Sequence, residues 1–326
     1  MEFRAPAALQ PLGKFADPNW TAKGERRAEV GLDQLETLWI NTGTLCNIEC
    51  VNCYIESSPS NDRLEYITAG EVTELLDEIK TLKLNTREIA FTGGEPFMNP
   101  HFLDMLEDSL QREFSVLVLT NAMQPMQRPR IKKGLLKLRD TFGDRLTLRV
   151  SLDHYSKILH ESERGEKTWA RAISGLDWLS EHGFSLAIAG RTCWNEDEAS
   201  SRQGFAQLIA EHRWSIDPDN PTQLMLLPEM DGKHDVPEIT TECWSILGKQ
   251  PRDMMCASSR MIVKRKGTDK PTVVPCTLLP YEPDFEMGST LAASLTADTG
   301  MFAKGAVKLC HAHCAKFCVL GGGSCS

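Results

Sequence analysis

From residue 37 to 227 the chain alternates between short apolar runs and longer stretches in which apolar residues recur every three or four positions. The short runs are "TLWINT" (37–42), "REIAFTG" (87–93), "FSVLVLTN" (114–121), "RLTLRVSL" (145–152), "FSLAIAG" (184–190) and "TQLMLL" (222–227), and they predict six strands. The longer stretches predict helices between them. The clearest begins at Thr68, where Thr68 and Glu71 spell a capping box. Val72, Leu75, Leu76 and Ile79 then make an apolar stripe suited to packing on a sheet. Ile173, Leu176 and Leu179 form a second stripe, and Phe205, Leu208 and Ile209 a third.

Strands that alternate with helices pair in parallel through right-handed crossovers. Six units fall short of a closed eight-stranded barrel. The expected fold is therefore α/β, a partial (β/α)6 barrel over residues 37–235, preceded by an N-terminal extension at 1–36. Beyond residue 236 helical periodicity fades and Pro, Gly, Met and Cys dominate. A hairpin is expected between Cys256 and Cys276, turning near Gly267. So little apolar material does not hold a domain by itself, so residues 236–326 are expected to form a small cysteine-rich C-terminal domain organised by metal.

The net charge of −9 argues against nucleic acid or an anionic membrane as the main partner. The basic run "KRKGTDK" at 264–270 reads as a solvated turn. No apolar run approaches the ~20 residues of a membrane span, and the start lacks a secretory signal pattern. A cytoplasmic location is expected. In a reducing compartment eleven cysteines, an odd number, point to metal or chemistry rather than a disulfide framework.

Three of them, Cys46, Cys50 and Cys53, are spaced C-x3-C-x2-C just after the first strand. Loops at that edge of a parallel sheet carry functional sites. Three thiolates can hold three irons of a [4Fe–4S] cube and leave the fourth open to a chelating ligand. A zinc site closed by a distant residue is the alternative. "FTGGEPFMNP" follows the second strand, and its Gly93 and Gly94 permit close backbone approach.

"CNIECVNCY" with "FTGGEP" resembles the radical S-adenosylmethionine (radical SAM) enzymes. The resemblance implies a cluster on Cys46, Cys50 and Cys53, with Tyr54 as the aromatic residue that follows it. It also implies S-adenosylmethionine bound near Gly93, Gly94 and Glu95, with Glu95 accepting hydrogen bonds from the ammonium group. Asn121 stands in a TNG-like turn where Ala122 replaces the glycine. Ser151 and Asp153 stand where the family touches the ribose or the methionine carboxylate, and Arg164 is the candidate partner of that carboxylate. The implied chemistry is one-electron cleavage of the sulfonium to a 5′-deoxyadenosyl radical, which abstracts hydrogen from an unactivated C–H bond. A flavodoxin- or ferredoxin-type electron donor is implied with it.

Cys256, Cys276, Cys310, Cys314, Cys318 and Cys325 resemble the auxiliary-cluster extension called SPASM, or its shorter form Twitch. The last run is C-x3-C-x3-C-x6-C instead of the usual C-x2-C-x5-C-x3-C, so at least one auxiliary [4Fe–4S] cluster is expected. Such a cluster accepts an electron from the substrate or binds the substrate; a zinc ribbon is the alternative. Cys193 and Cys243 read as small core residues, although Cys193 ends the fifth strand and could face the cavity. His154, Arg191 and Glu196 are candidate substrate-facing residues. Family members acting on ribosomal peptides often carry a peptide-binding domain before the barrel, and only 45 residues precede Cys46. A small polar metabolite is therefore the first expectation for the substrate. A ribosomally made peptide presented by a separate binding partner, or a non-catalytic iron–sulfur or zinc scaffold, are the others.

Overall fold

All six expected strands form in the computed structural model, which describes residues 13–228 and 235–321. They are β1 (Thr37–Asn41), β2 (Glu88–Thr92), β3 (Ser115–Thr120), β4 (Leu146–Ser151), β5 (Ser185–Arg191) and β6 (Leu224–Leu227). Each pairs in parallel with the next, for example Leu38 opposite Ile89 and Val118 opposite Leu148. The helices between them are α1 (Ala69–Thr81), α2 (Phe102–Gln111), α3 (Pro129–Phe142), α4 (Lys157–Arg164), α5 (Thr168–Glu181) and α6 (Glu198–His212).

The start of α1 shows why the local sequence suffices. Thr68 Oγ1 accepts from the Glu71 amide at 3.3 Å, and Glu71 Oε2 accepts from the Thr68 amide at 2.8 Å. Such a cap is worth about 1 kcal/mol. The stripe Val72, Leu75, Leu76 and Ile79 is buried, as its spacing requires.

The sheet does not stop at six strands. The expected hairpin forms as β7 (Ser259–Val263) and β8 (Thr272–Val274), with Gly267 at φ +79° in the turn. β7 pairs in parallel with β1, Leu38 opposite Arg260, so the order is β6-β5-β4-β3-β2-β1-β7-β8. Every residue of β7 is buried, and the hairpin covers the otherwise unpaired edge of β1. Part of the cysteine-rich tail is thus continuous with the barrel sheet. The described part of the N-terminal extension joins the tail as well: Glu29–Val30 pairs with Ala306–Lys308, and Arg27 makes a buried ion pair with Glu238 at 2.6 Å. Among the described residues no helix is long and apolar enough to cross a membrane.

Candidate metal and cofactor site

At the C-terminal ends of the parallel strands lies a cavity of about 190 Å3. Cys46, Cys50 and Cys53 all line it, with Tyr54 on its exposed rim. Gly93, Gly94, Asn121, Ser151, Asp153 and Arg164 line it as well. Every one of the expected cofactor residues except Glu95 therefore faces one space.

The cysteine loop is locked to the double-glycine loop. Gly94 donates its amide to the Gly43 carbonyl at 2.8 Å, and Glu95 donates to the Leu45 carbonyl at 3.1 Å. A Cβ on Gly94 would lie 2.1 Å from the Leu45 oxygen, and one on Gly93 2.6 Å from the Gly43 oxygen. Gly93 also has φ +139°, a conformation other residues rarely adopt. The close approach that the glycines permit is, in the first place, between these two loops.

Glu95 is fully buried and does not line the cavity. Its carboxylate accepts from Thr120 Oγ1 at 2.8 and 3.0 Å, from the Asn121 amide at 2.9 Å and from the Phe97 amide at 3.2 Å. Its oxygens thus brace the loop after β3. Burial raises its pKa to about 7, against the lowering effect of those donors. The same loop reaches the cysteines: Asn121 Nδ2 donates to Asn47 Oδ1 at 2.9 Å and lies 3.9 Å from Cys46 Sγ. Ala122 sits at φ +57°, the region the expected glycine would occupy without strain.

A chain of charges borders the other side. Arg164, at the end of α4, donates Nε to Asp153 Oδ2 at 2.7 Å and Nη2 to Asp153 Oδ1 at 3.0 Å. Arg191, at the end of β5, lies 3.3 Å from Asp153 Oδ1 and 3.1 Å from Glu163 Oε1. Glu163 in turn accepts from the Asn52 amide at 2.8 Å and from Asn52 Nδ2 at 2.9 Å. Asp153 thus has both oxygens engaged by arginines, where sequence reasoning expected a ligand contact. Arg164 keeps only part of its fork for a ligand. Burial would raise the Asp153 carboxyl, but the two guanidiniums outweigh it and hold it below its usual range. Burial pushes the Cys46 thiol up to about 12 and the Cys50 thiol up as well, with Arg164 opposing the latter.

Of the candidate substrate residues only Arg191 lines the cavity. His154 accepts from the Ser156 amide at Nδ1 (2.8 Å) and meets Glu196 Oε2 through Nε2 (3.2 Å). Glu196 also accepts from Ser201 and Tyr155, so this group ties α6 to the loop after β4. Cys193 does not line the cavity, and Cys243 is half-buried against Thr240. Glu163 and Asn52 were missed because no local pattern marks a carboxylate on one helix as the partner of a distant loop.

The tail brings a second set of thiols together. Cys256, Cys276, Cys314 and Cys318 line one small cavity with Met254, Pro275 and Leu279. Cys314 and Cys318 share a face of the wide helical segment Cys314–Leu320. Burial pushes Cys256 up to about 11, and Cys276 and Cys314 well above the ordinary thiol value. Cys310, also expected as a ligand, does not line that cavity, and its thiol lies 3.3 Å from the Phe15 and Asp17 carbonyls. Cys325 lies outside the described residues. Cys276 and Cys318 adjoin the main cavity, because Thr277, Leu278 and Phe317 line it.

Soft, all-thiol donor sets in apolar surroundings suit iron–sulfur clusters or zinc. Among the described residues no three His, Cys, Asp or Glu side chains are close enough to share a single ion. A cube spreads its thiolates over separate irons, so its ligands need not meet at one point. The side-chain-free wall at Gly93 and Gly94 and the amide donation from Ser57 to Cys53 Sγ at 3.3 Å fit such a group.

Residues 40–198 match the Radical SAM superfamily, and the chain carries a radical SAM domain. The antilisterial bacteriocin subtilosin biosynthesis protein AlbA of Bacillus subtilis (strain 168) is 30% identical over 145 residues, 44% of this chain and 30% of that protein. The mycofactocin maturase MftC of Mycobacterium ulcerans (strain Agy99) is 26% identical over 159 residues, 49% of this chain and 40% of that protein. The chain thus spans well under half the length of these curated relatives. Streptococcus suis SuiB bound to precursor peptide SuiA shares the fold, with TM-score 0.59 and 14% identity over 84% of this chain and 66% of that one. The radical SAM family uses a [4Fe–4S] cluster and S-adenosylmethionine.

Proposed function

We propose that the chain is a radical SAM enzyme that modifies a ribosomally made peptide, with Cys46, Cys50 and Cys53 holding the cluster and leaving one iron for S-adenosylmethionine. The observation that carries this reading is a single cavity lined by Cys46, Cys50 and Cys53, reached by the tail through Thr277, Leu278 and Phe317, and walled mainly by apolar side chains. When bound, the cluster supplies the electron that splits the sulfonium carbon–sulfur bond and yields a 5′-deoxyadenosyl radical, which takes a hydrogen atom from the substrate.

The chain's own residues orient and shield. Gly93 and Gly94 present a backbone wall to the amino end of S-adenosylmethionine, and the remaining donors of Arg164 serve its carboxylate. Ser151 at the end of β4 is placed for the ribose, and Asn121, steadied by Asn47, borders the cluster. Tyr54 closes the rim. Glu95 acts indirectly, by fixing the Asn121 loop. Ile48, Leu119, Met225, Leu278 and Phe317 exclude water from the reacting carbon and suit an apolar peptide side chain better than a small polar metabolite. The peptide-linked descriptions of AlbA and SuiB point the same way.

For the tail, Cys256, Cys276, Cys314 and Cys318 supply one thiolate per iron of an auxiliary [4Fe–4S] cluster. A cluster so ligated has no open iron for substrate. It is suited to accept an electron, since Thr277 and Leu278, directly after Cys276, reach the main cavity. A flavodoxin- or ferredoxin-type donor completes the circuit.

The test is anaerobic incubation of reconstituted, reduced protein with S-adenosylmethionine and short peptides encoded beside its gene. Formation of 5′-deoxyadenosine with a mass change in one peptide supports the proposal. Modification of a sugar, amino acid or nucleotide, with no peptide altered, overturns the substrate assignment.

A further inference from the structure

Arg260 on β7 has no exposed surface. Its Nη1 donates to the carbonyls of Cys256 at 2.6 Å and Ser259 at 2.8 Å, and its Nη2 to the Gly305 carbonyl at 3.2 Å. Its Nε has no partner. Arg27, Arg164 and Arg191 each meet a carboxylate, but among the described residues none lies within ion-pair distance of Arg260. A guanidinium stays charged, and burying it without a counter-charge is costly.

Its fork thus holds the backbone of Cys256, which with Cys276 supplies two of the four thiols of the tail site. Metal binding replaces their protons and makes them thiolates. The missing counter-charge of Arg260 therefore arrives with the cluster.

We infer that Arg260 is the counter-ion of the tail cluster and raises its reduction potential, fitting it to take one electron from the substrate. This rests on the reading of the tail thiols given above. In the balanced step the substrate carbon radical gives up one electron and then a proton to water, and the cluster becomes one unit more negative. A fixed positive charge that holds the backbone of one cluster ligand favours that more negative state. Arg260 is a tuning residue and touches neither substrate nor S-adenosylmethionine.

The experiment is a redox titration, followed by electron paramagnetic resonance, of the full chain reconstituted anaerobically as wild type, Arg260→Gln and Arg260→Lys. The signal that S-adenosylmethionine perturbs marks the N-terminal cluster, and the other marks the tail. Arg260→Gln is expected to lower the midpoint of the tail signal alone, and Arg260→Lys to restore most of it. An unchanged tail midpoint in Arg260→Gln overturns the inference. A wild type with iron for one cluster only overturns the reading of the tail beneath it. Unfolding of Arg260→Met checks the charge independently: it is expected to be more stable than wild type when free of iron, and to lose that advantage when loaded. Equal destabilisation in both states contradicts the counter-ion role.

Discussion

The guanidinium of Arg164 grips the carboxylate of Asp153 with two parallel hydrogen bonds, Nε to Oδ2 at 2.7 Å and Nη2 to Oδ1 at 3.0 Å. Both side chains are almost wholly buried, and Arg191 leans on the same carboxylate. Removing one partner of such a pair leaves an uncompensated charge and costs about 3–5 kcal/mol. Asp153→Asn is expected to lose that much in denaturant unfolding, and a loss below about 1 kcal/mol contradicts the assignment. The Asp153 carboxyl is held below its usual value of about 4. Its stabilisation is thus complete above that value and disappears as pH falls through the lower folded one. Asp153→Asn lacks this acid-side loss.

Glu95 titrates in the opposite sense. Its pKa rises from 4.5 to about 7, so its contribution to stability is complete below 4.5 and is lost as pH rises through 7. Relative to wild type, Glu95→Gln is expected to gain stability between pH 5 and 7 and to stay level above it. A constant difference across that range, measured by urea unfolding, shows that the carboxyl is not raised.

His160 is fully buried with neither ring nitrogen partnered, and meets Trp169 edge-on with ring centroids 5.5 Å apart. Burial lowers its pKa to about 4 from 6.5. Protonation is thus resisted in the folded state, and wild-type stability falls as pH drops from 6.5 towards 4. His160→Phe keeps the ring contact and removes two orphaned polar atoms. Its unfolding free energy is expected to equal or exceed that of wild type by up to about 3 kcal/mol at pH 7, with the advantage growing at pH 5.5. Destabilisation at both pH values contradicts this.

Cys310 and Cys314 separate the tail ligands from a bystander. Cys314→Ala is expected to remove the auxiliary iron, whereas Cys310→Ala, whose thiol points at Phe15 and Asp17, leaves it in place. Iron analysis against protein concentration decides between them. Equal loss in both variants makes Cys310 a ligand.

The six strands and the Thr68–Glu71 cap were legible because each is written in adjacent residues. The pairing of Arg260 opposite Leu38 was not, because nothing local in "SRMIV" names the strand it will join. The triplet of cysteines and the double glycine do line one cavity, since strand ends place consecutive loops together. What those loops do to each other was hidden: Glu95 reads as a ligand group until Thr120 and Asn121 are seen to use its oxygens. Nothing in the sequence singles out Arg260, whose burial between Cys256 and Gly305 depends on distant segments.

The proposed reaction requires an iron–sulfur cube with one vacant iron at Cys46, Cys50 and Cys53. The most direct measurement is the yield of 5′-deoxyadenosine from S-adenosylmethionine by the reduced, reconstituted chain and by Cys50→Ala. Turnover by the parent chain and none by the variant, with the tail iron retained, is the expected result. Equal yields from the two proteins contradict it.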